Sequence, residues 1–90
     1  MMTTYTMTTR FVKIENVNLP SNMKGTRVVN AITSAELLEK ICQIYGFNEA
    51  KKSQLELWSG PLGYIGRQRL DTCEIIPEGY EYIWVRAVER

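Results

Sequence analysis

Residues 32–47, ITSAELLEKICQIYGF, read as one helix with its start, its buried stripe and its stop all present. Thr33 followed three residues later by Glu36 fits a capping box, with the hydroxyl on the N3 amide and the carboxylate returning to the N-cap amide. Ile32 and Leu37 stand at the two positions of a hydrophobic staple. Leu37, Leu38, Ile41, Ile44 and Tyr45 recur at helical spacing, which leaves Glu36, Glu39, Lys40 and Gln43 for water. Gly46 sits where a left-handed residue ends a helix, and Phe47 follows as the apolar contact that folds back. The pattern predicts a helix over about residues 34–45.

On both flanks the period changes from helical to alternating. Upstream, RFVKIENVNLP places Val12 and Ile14 on one face of a strand, with Phe11, Lys13 and Glu15 on the other, until Pro20 ends it. PSNMKG is loop chemistry, and TRVVNAI is a second strand with Val29 and Ala31 inward, Thr26, Val28 and Asn30 outward and Arg27 at the rim. Downstream, NEAKKS is a polar connection, and QLELW is a third strand with Leu55 and Leu57 on one face. SGPLGYIGR must turn tightly, with Tyr64 and Ile65 opening a short return strand. RQRLDTCEIIPEGYE carries turn signals. YEYIWVRAV is a last strand with Ile83 and Val85 inward and Trp84 and Arg86 outward. The expected order is β–β–α–β–(β)–β.

One helix laid across one face of a mixed sheet solves the burial problem for that order. The expectation is an α+β fold, a ubiquitin-like β-grasp roll of four to five strands, with the first and last strands parallel at the sheet centre. A ferredoxin-like arrangement needs a second helix, and residues 59–79 are broken by Gly and Pro. Residues 1–9, rich in Thr and Met, read as a flexible leader, and 10–90 as one domain.

The totals exclude several classes of function. Ninety residues support one modest core, and 44% hydrophobic with 23% charged residues is ordinary globular composition. A formal net charge of +1 gives no pull toward nucleic acid. No apolar run approaches the roughly 20 residues that span a bilayer, and MMTTYTMTT is no signal peptide. Cys42 and Cys73 lack metal-ligand spacing and read as reduced thiols, which points to a cytoplasmic protein. The chain has no histidine, so the commonest general base and the commonest zinc ligand are both missing. With no phosphate loop either, neither catalysis nor a cofactor or metal is expected.

From GTRVVNAITSAELLEKICQIYGF onward the rhythm of strand, Thr helix start, apolar helix and terminal glycine resembles the Ras-associating and Ras-binding domains. LELWSGPLGYIGRQRLDTCEIIP is similar to the family's third strand, basic turn and closing segment, with Leu70, Glu74 and Pro77 in place and one extra residue before the proline. The resemblance covers about residues 10–88. It implies a non-catalytic signalling domain that binds a Ras-type GTPase by adding a strand to the edge of strand two. The partner-binding residues it implies are Lys13 on strand one, Lys24, Thr26, Arg27 and Val28 in the strand-two segment, and Lys40 on the helix. Family members of the Raf type hold an arginine just before the helix-ending glycine, where this chain has Tyr45.

Blander roles stand beside these. Exposed edge lysines discourage aggregation without binding anything. Lys51, Lys52, Arg67 and Arg69 read as solvated loop charge, Trp58 and Trp84 as sheet packing, and Tyr45 as the closure of the helix–sheet core. The alternative function is a docking module for another signalling or scaffold protein, similar to the Phox-and-Bem-type domains in using a strand-one lysine, here Lys13. A conjugated modifier is disfavoured by the ending RAVER. No nucleic-acid partner and no direct membrane insertion are expected.

Overall fold

Alternating residues from Thr8 to Glu15 form β1, the first of five strands in a computed structural model that describes residues 8–60, 62, 65–71 and 75–89. A 3-10 turn at Ser21–Met23 leads into β2, Arg27–Ala31. Then come α1, Ser34–Tyr45, and a short α2, Glu49–Lys52. Three further strands follow: β3, Leu55–Ser59; β4, Gln68–Arg69; and β5, Tyr82–Ala87. The strand order is β2-β1-β5-β3-β4, with β1 and β5 parallel and every other pair antiparallel. The domain is therefore α+β, with one main helix on a mixed sheet. No helix among the described residues is long and apolar enough to cross a membrane.

α1 forms where its local signals place it. Thr33 is its N-cap, and its hydroxyl accepts from the Glu36 amide at 3.1 Å. The reciprocal arm differs from the capping box read from the sequence: the Glu36 carboxylate accepts from Ile32 at 2.8 Å, one residue before the N-cap. Gly46 is left-handed at φ 72°, and the Phe47 amide closes the helix on the Cys42 carbonyl at 3.0 Å. That six-to-one bond is the Schellman closure, and Phe47 stacks on Tyr45 with 5.6 Å between centroids.

The sheet presents Val12, Val29, Ala31, Leu55, Leu57, Ile83 and Val85 to Leu37, Ile41, Cys42 and Tyr45 of α1. Leu70 and Ile76 complete this core from the long β3–β5 connection, where the sequence shows mainly turn signals. Ile76 is drawn in because its amide donates to the Ile32 carbonyl at 3.0 Å, beside an isolated bridge between Thr33 and Ile75.

Three expectations are corrected, and one burial is new. The β1 ladder starts at Thr8, inside the expected leader, because Thr8 and Thr9 pair with Ala31 and Asn30. NEAKKS coils into α2, because the Asn48 side chain caps it by accepting from Lys51 at 2.8 Å. The return strand is Gln68–Arg69, since the turn has not closed at Ile65; Tyr64 lies outside the described residues. Arg10 is buried, sharing the inward face with Val12. Cys73 and Glu74 also lie outside the described residues.

Candidate functional site

Backbone alternation decides what the β2 edge offers. In an antiparallel pair each residue turns both its amide and its carbonyl either toward the partner strand or away from it. The Phe11 amide donates to Glu81 at 2.7 Å, on the β5 side, so Phe11 turns its back on β2. Its partner Val28 is then a non-hydrogen-bonded pair, with amide and carbonyl directed to the open edge. Asn30 has the same parity, and so does Ile32, whose groups are taken by Glu36 and Ile76.

Lys40 covers the next stretch of this edge. Its ammonium donates to the Asn30 carbonyl at 2.6 Å and lies 3.8 Å from the Glu36 carboxylate one helical turn away. A lysine on an edge carbonyl discourages unspecific strand pairing. The stretch left open among the described residues centres on Val28, which is 60% exposed on the outer face.

The six residues expected to bind a partner surround this edge from two sides. Thr26, Val28 and Lys13 lie on the outer face, with Lys13 one strand further in on β1, and Lys24 sits exposed just before β2. Arg27 and Lys40 lie on the helix side. Arg27 is the least available of them: its guanidinium stands 5.6 Å over the Tyr45 ring and donates to the Asn22 carbonyl at 3.5 Å. Tyr45, where the Raf-type pattern has an arginine, thus belongs to the core as expected and supplies Arg27 with a seat.

Burial pushes the Tyr45 phenol up from its ordinary value, and Arg27 works against that shift. Burial raises the Cys42 thiol in the same way, partly offset by Lys52. Lys52 itself is raised, first by its hydrogen bond to Glu39 at 2.6 Å. Arg69 is raised by its paired hydrogen bonds to Asp71 and also holds Glu56 at 3.1 Å. Lys52 and Arg69 are thus engaged in ion pairs, not loose loop charge. Trp58 and Trp84 are half-buried on the outer face, two or more strands away from β2. No cluster of three or more His, Cys, Asp or Glu able to hold a metal occurs among the described residues.

Sequence reasoning missed the role of Lys40 as an edge cover and the burial of Arg10. The parity of the Asn30 carbonyl depends on strand register, which the sequence shows only as a pattern. Comparison with family models, with curated proteins and with solved structures finds no match for this chain.

Proposed function

We propose that this chain is a ubiquitin-like β-grasp domain of the Ras-associating kind, a non-catalytic interaction module of a cytoplasmic signalling protein. It receives an extended strand of a GTP-bound Ras-type GTPase along β2. The observation that carries this reading is the open β2 edge at Val28, an exposed apolar side chain with its amide and carbonyl directed outward. Lys24 and Lys13 stand exposed beside it, where cations steer an acidic partner and fix its register. The five-strand order with parallel β1 and β5 supports the fold assignment.

The test is an amide-shift titration with a Ras-type GTPase loaded with a GTP analogue and, separately, with GDP. Shifts confined to residues 11–30 and the start of α1, seen with the GTP form alone, are the expected result. Silence with both forms would remove the GTPase and leave a docking module for another signalling or scaffold protein. Val28→Lys is the companion variant, since it changes the open face and no buried contact; it should abolish the shifts while the remaining amide spectrum stays in place.

A further inference from the structure

The half of the β2 edge that leads into α1 is closed, and its two closures differ in how firmly they are held. Val28, Asn30 and Ile32 share the parity that turns amide and carbonyl away from β1. At Ile32 both groups are bound within the packed domain. Its amide donates to Glu36 in the first turn of α1 at 2.8 Å, and its carbonyl accepts from the amide of buried Ile76 at 3.0 Å. At Asn30 the carbonyl accepts from the Lys40 ammonium at 2.6 Å, and that ammonium ends a side chain still 34% exposed.

The same ammonium has a second anchor within reach. The Glu36 carboxylate lies 3.8 Å from it, one helical turn back. Lysine is a point charge on a flexible four-carbon stem, so a small rotation exchanges the Asn30 carbonyl for closer contact with Glu36. That carbonyl is what an incoming strand needs. In an antiparallel addition, the residue opposite Val28 exchanges two bonds with it, and the residue two places further on does the same with Asn30. The added amide nitrogen would seat about 2.9 Å from the Asn30 oxygen, for which the ammonium now competes.

We infer that Lys40 sets how long a strand the β2 edge takes. With the ammonium on Asn30, a partner's strand pairs at Val28 and turns away before Asn30. With the ammonium drawn to Glu36, the ladder runs on through Asn30 and stops there, because Ile32 stays closed in both states. The inference rests on the strand addition proposed above and names the residue that limits it. The occupant it selects is a short extended segment that bends off beside the start of α1, not the middle of a long regular strand. Removing the ammonium relaxes that choice and opens the same edge to a second copy of the chain, a pairing that an edge lysine opposes.

The experiment compares the unaltered chain with Lys40→Met, which keeps the stem and removes the ammonium. Amide hydrogen exchange is followed with and without a Ras-type GTPase loaded with a GTP analogue. Binding should protect the Val28 amide alone in the unaltered chain and both Val28 and Asn30 in K40M. The affinity of K40M should rise about tenfold, since main-chain hydrogen bonds are added. With Val28 protected, equal behaviour of Asn30 in the two bound proteins would overturn the role of Lys40 and leave strand addition standing. Sedimentation of the free chains supplies the arm that needs no GTPase. K40M should self-associate as concentration rises, with Val28 and Asn30 protected, while the unaltered chain stays monomeric. Silence of both proteins toward the GTPase together with that self-association would overturn the GTPase reading alone. Silence without it, or equal self-association of the two proteins, would overturn the role of Lys40 as well. Lys40→Arg keeps a cation at the carbonyl and should match the unaltered chain; a gain as large as that of K40M would equally sink the inference. Should K40M not fold, Lys40→Gln takes its place in both arms.

Discussion

A guanidinium only 2% exposed must be held by something, and Arg10 is held by backbone carbonyls. Its Nη1 donates to Tyr80 at 2.9 Å and its Nε to Ala31 at 3.4 Å. Burial pushes the group down from its ordinary value, while Glu81 pulls the other way. Removing it would take a donor from each of these two carbonyls and leave a void along the stem. Arg10→Ala should therefore cost about 3 kcal/mol or more in chemical denaturation, and Arg10→Met less, because the apolar stem is kept. Strand alternation alone puts residue 10 on the face of Val12, whereas charge alone puts it in water. The sequence left that conflict open because the deciding carbonyl of Tyr80 lies 70 residues away. Cys42 and Tyr45 give a second residue-scale outcome. Both are raised by burial, so the folded chain keeps these protons to higher pH than the unfolded chain does. The unfolded chain ionises first, and stability should fall from about pH 8.5, the ordinary thiol value, through and beyond about pH 10, that of the phenol. Denaturation midpoints between those values should fall less steeply in Cys42→Ala/Tyr45→Phe; an unchanged slope would assign the loss to other groups.

Elements differ in how far their signals travel along the chain. α1 was legible almost residue by residue because cap, stripe and stop lie within 15 positions of one another, from Ile32 to Phe47. Thr33→Ala should accordingly lose about 1 kcal/mol, read by thermal or denaturant unfolding, since it removes the acceptor of the Glu36 amide. β4 is the opposite case: two residues long, it exists because Trp58 and Ser59 offer a ladder to Arg69 and Gln68. Nothing in the intervening glycines announces that register, so the sequence pattern opens the return strand four residues too early, at Tyr64 instead of Gln68. The residues proposed to bind a partner form one neighbourhood already in the sequence, since strand parity puts Val28 on the outward face. Lys40 was not legible as an edge cover, because a helix lysine meets a strand carbonyl only in the packed domain. Gly60 links this scale to Trp58 and Trp84, whose rings the Arg67 guanidinium overlies at 5.9 Å and 5.6 Å. Gly60→Ala must displace Gly66 or Arg67 by a few tenths of an ångström, and the expected signature is a shift of both indole N–H resonances with little change in unfolding midpoint.

At the scale of the whole molecule the net charge is only +1, so long-range attraction to an acidic partner has to come from local charge rather than from the domain's total. Around the β2 edge the cations are not equivalent. Arg27 is committed to Tyr45 and Asn22, and Lys40 to the Asn30 carbonyl. Charge reversal at Arg27 would therefore disturb the helix–sheet core as well as the surface, and it is a poor probe of binding. Lys13 and Lys24 are exposed, and their reversal tests steering with the fold intact. Lys13→Glu/Lys24→Glu should slow association with the GTP-loaded GTPase by about tenfold at low salt and leave dissociation nearly unchanged, with the difference shrinking as salt is raised. Val28→Lys should act mainly on dissociation, because it disturbs the β2 side chain beside which the partner's strand is added. Stopped-flow measurements at low and physiological salt separate the two effects. Loss of the double variant's affinity through dissociation alone would mean that Lys13 and Lys24 make register contacts in the bound state and do not steer. A Val28→Lys chain that binds normally would move the partner away from β2 altogether.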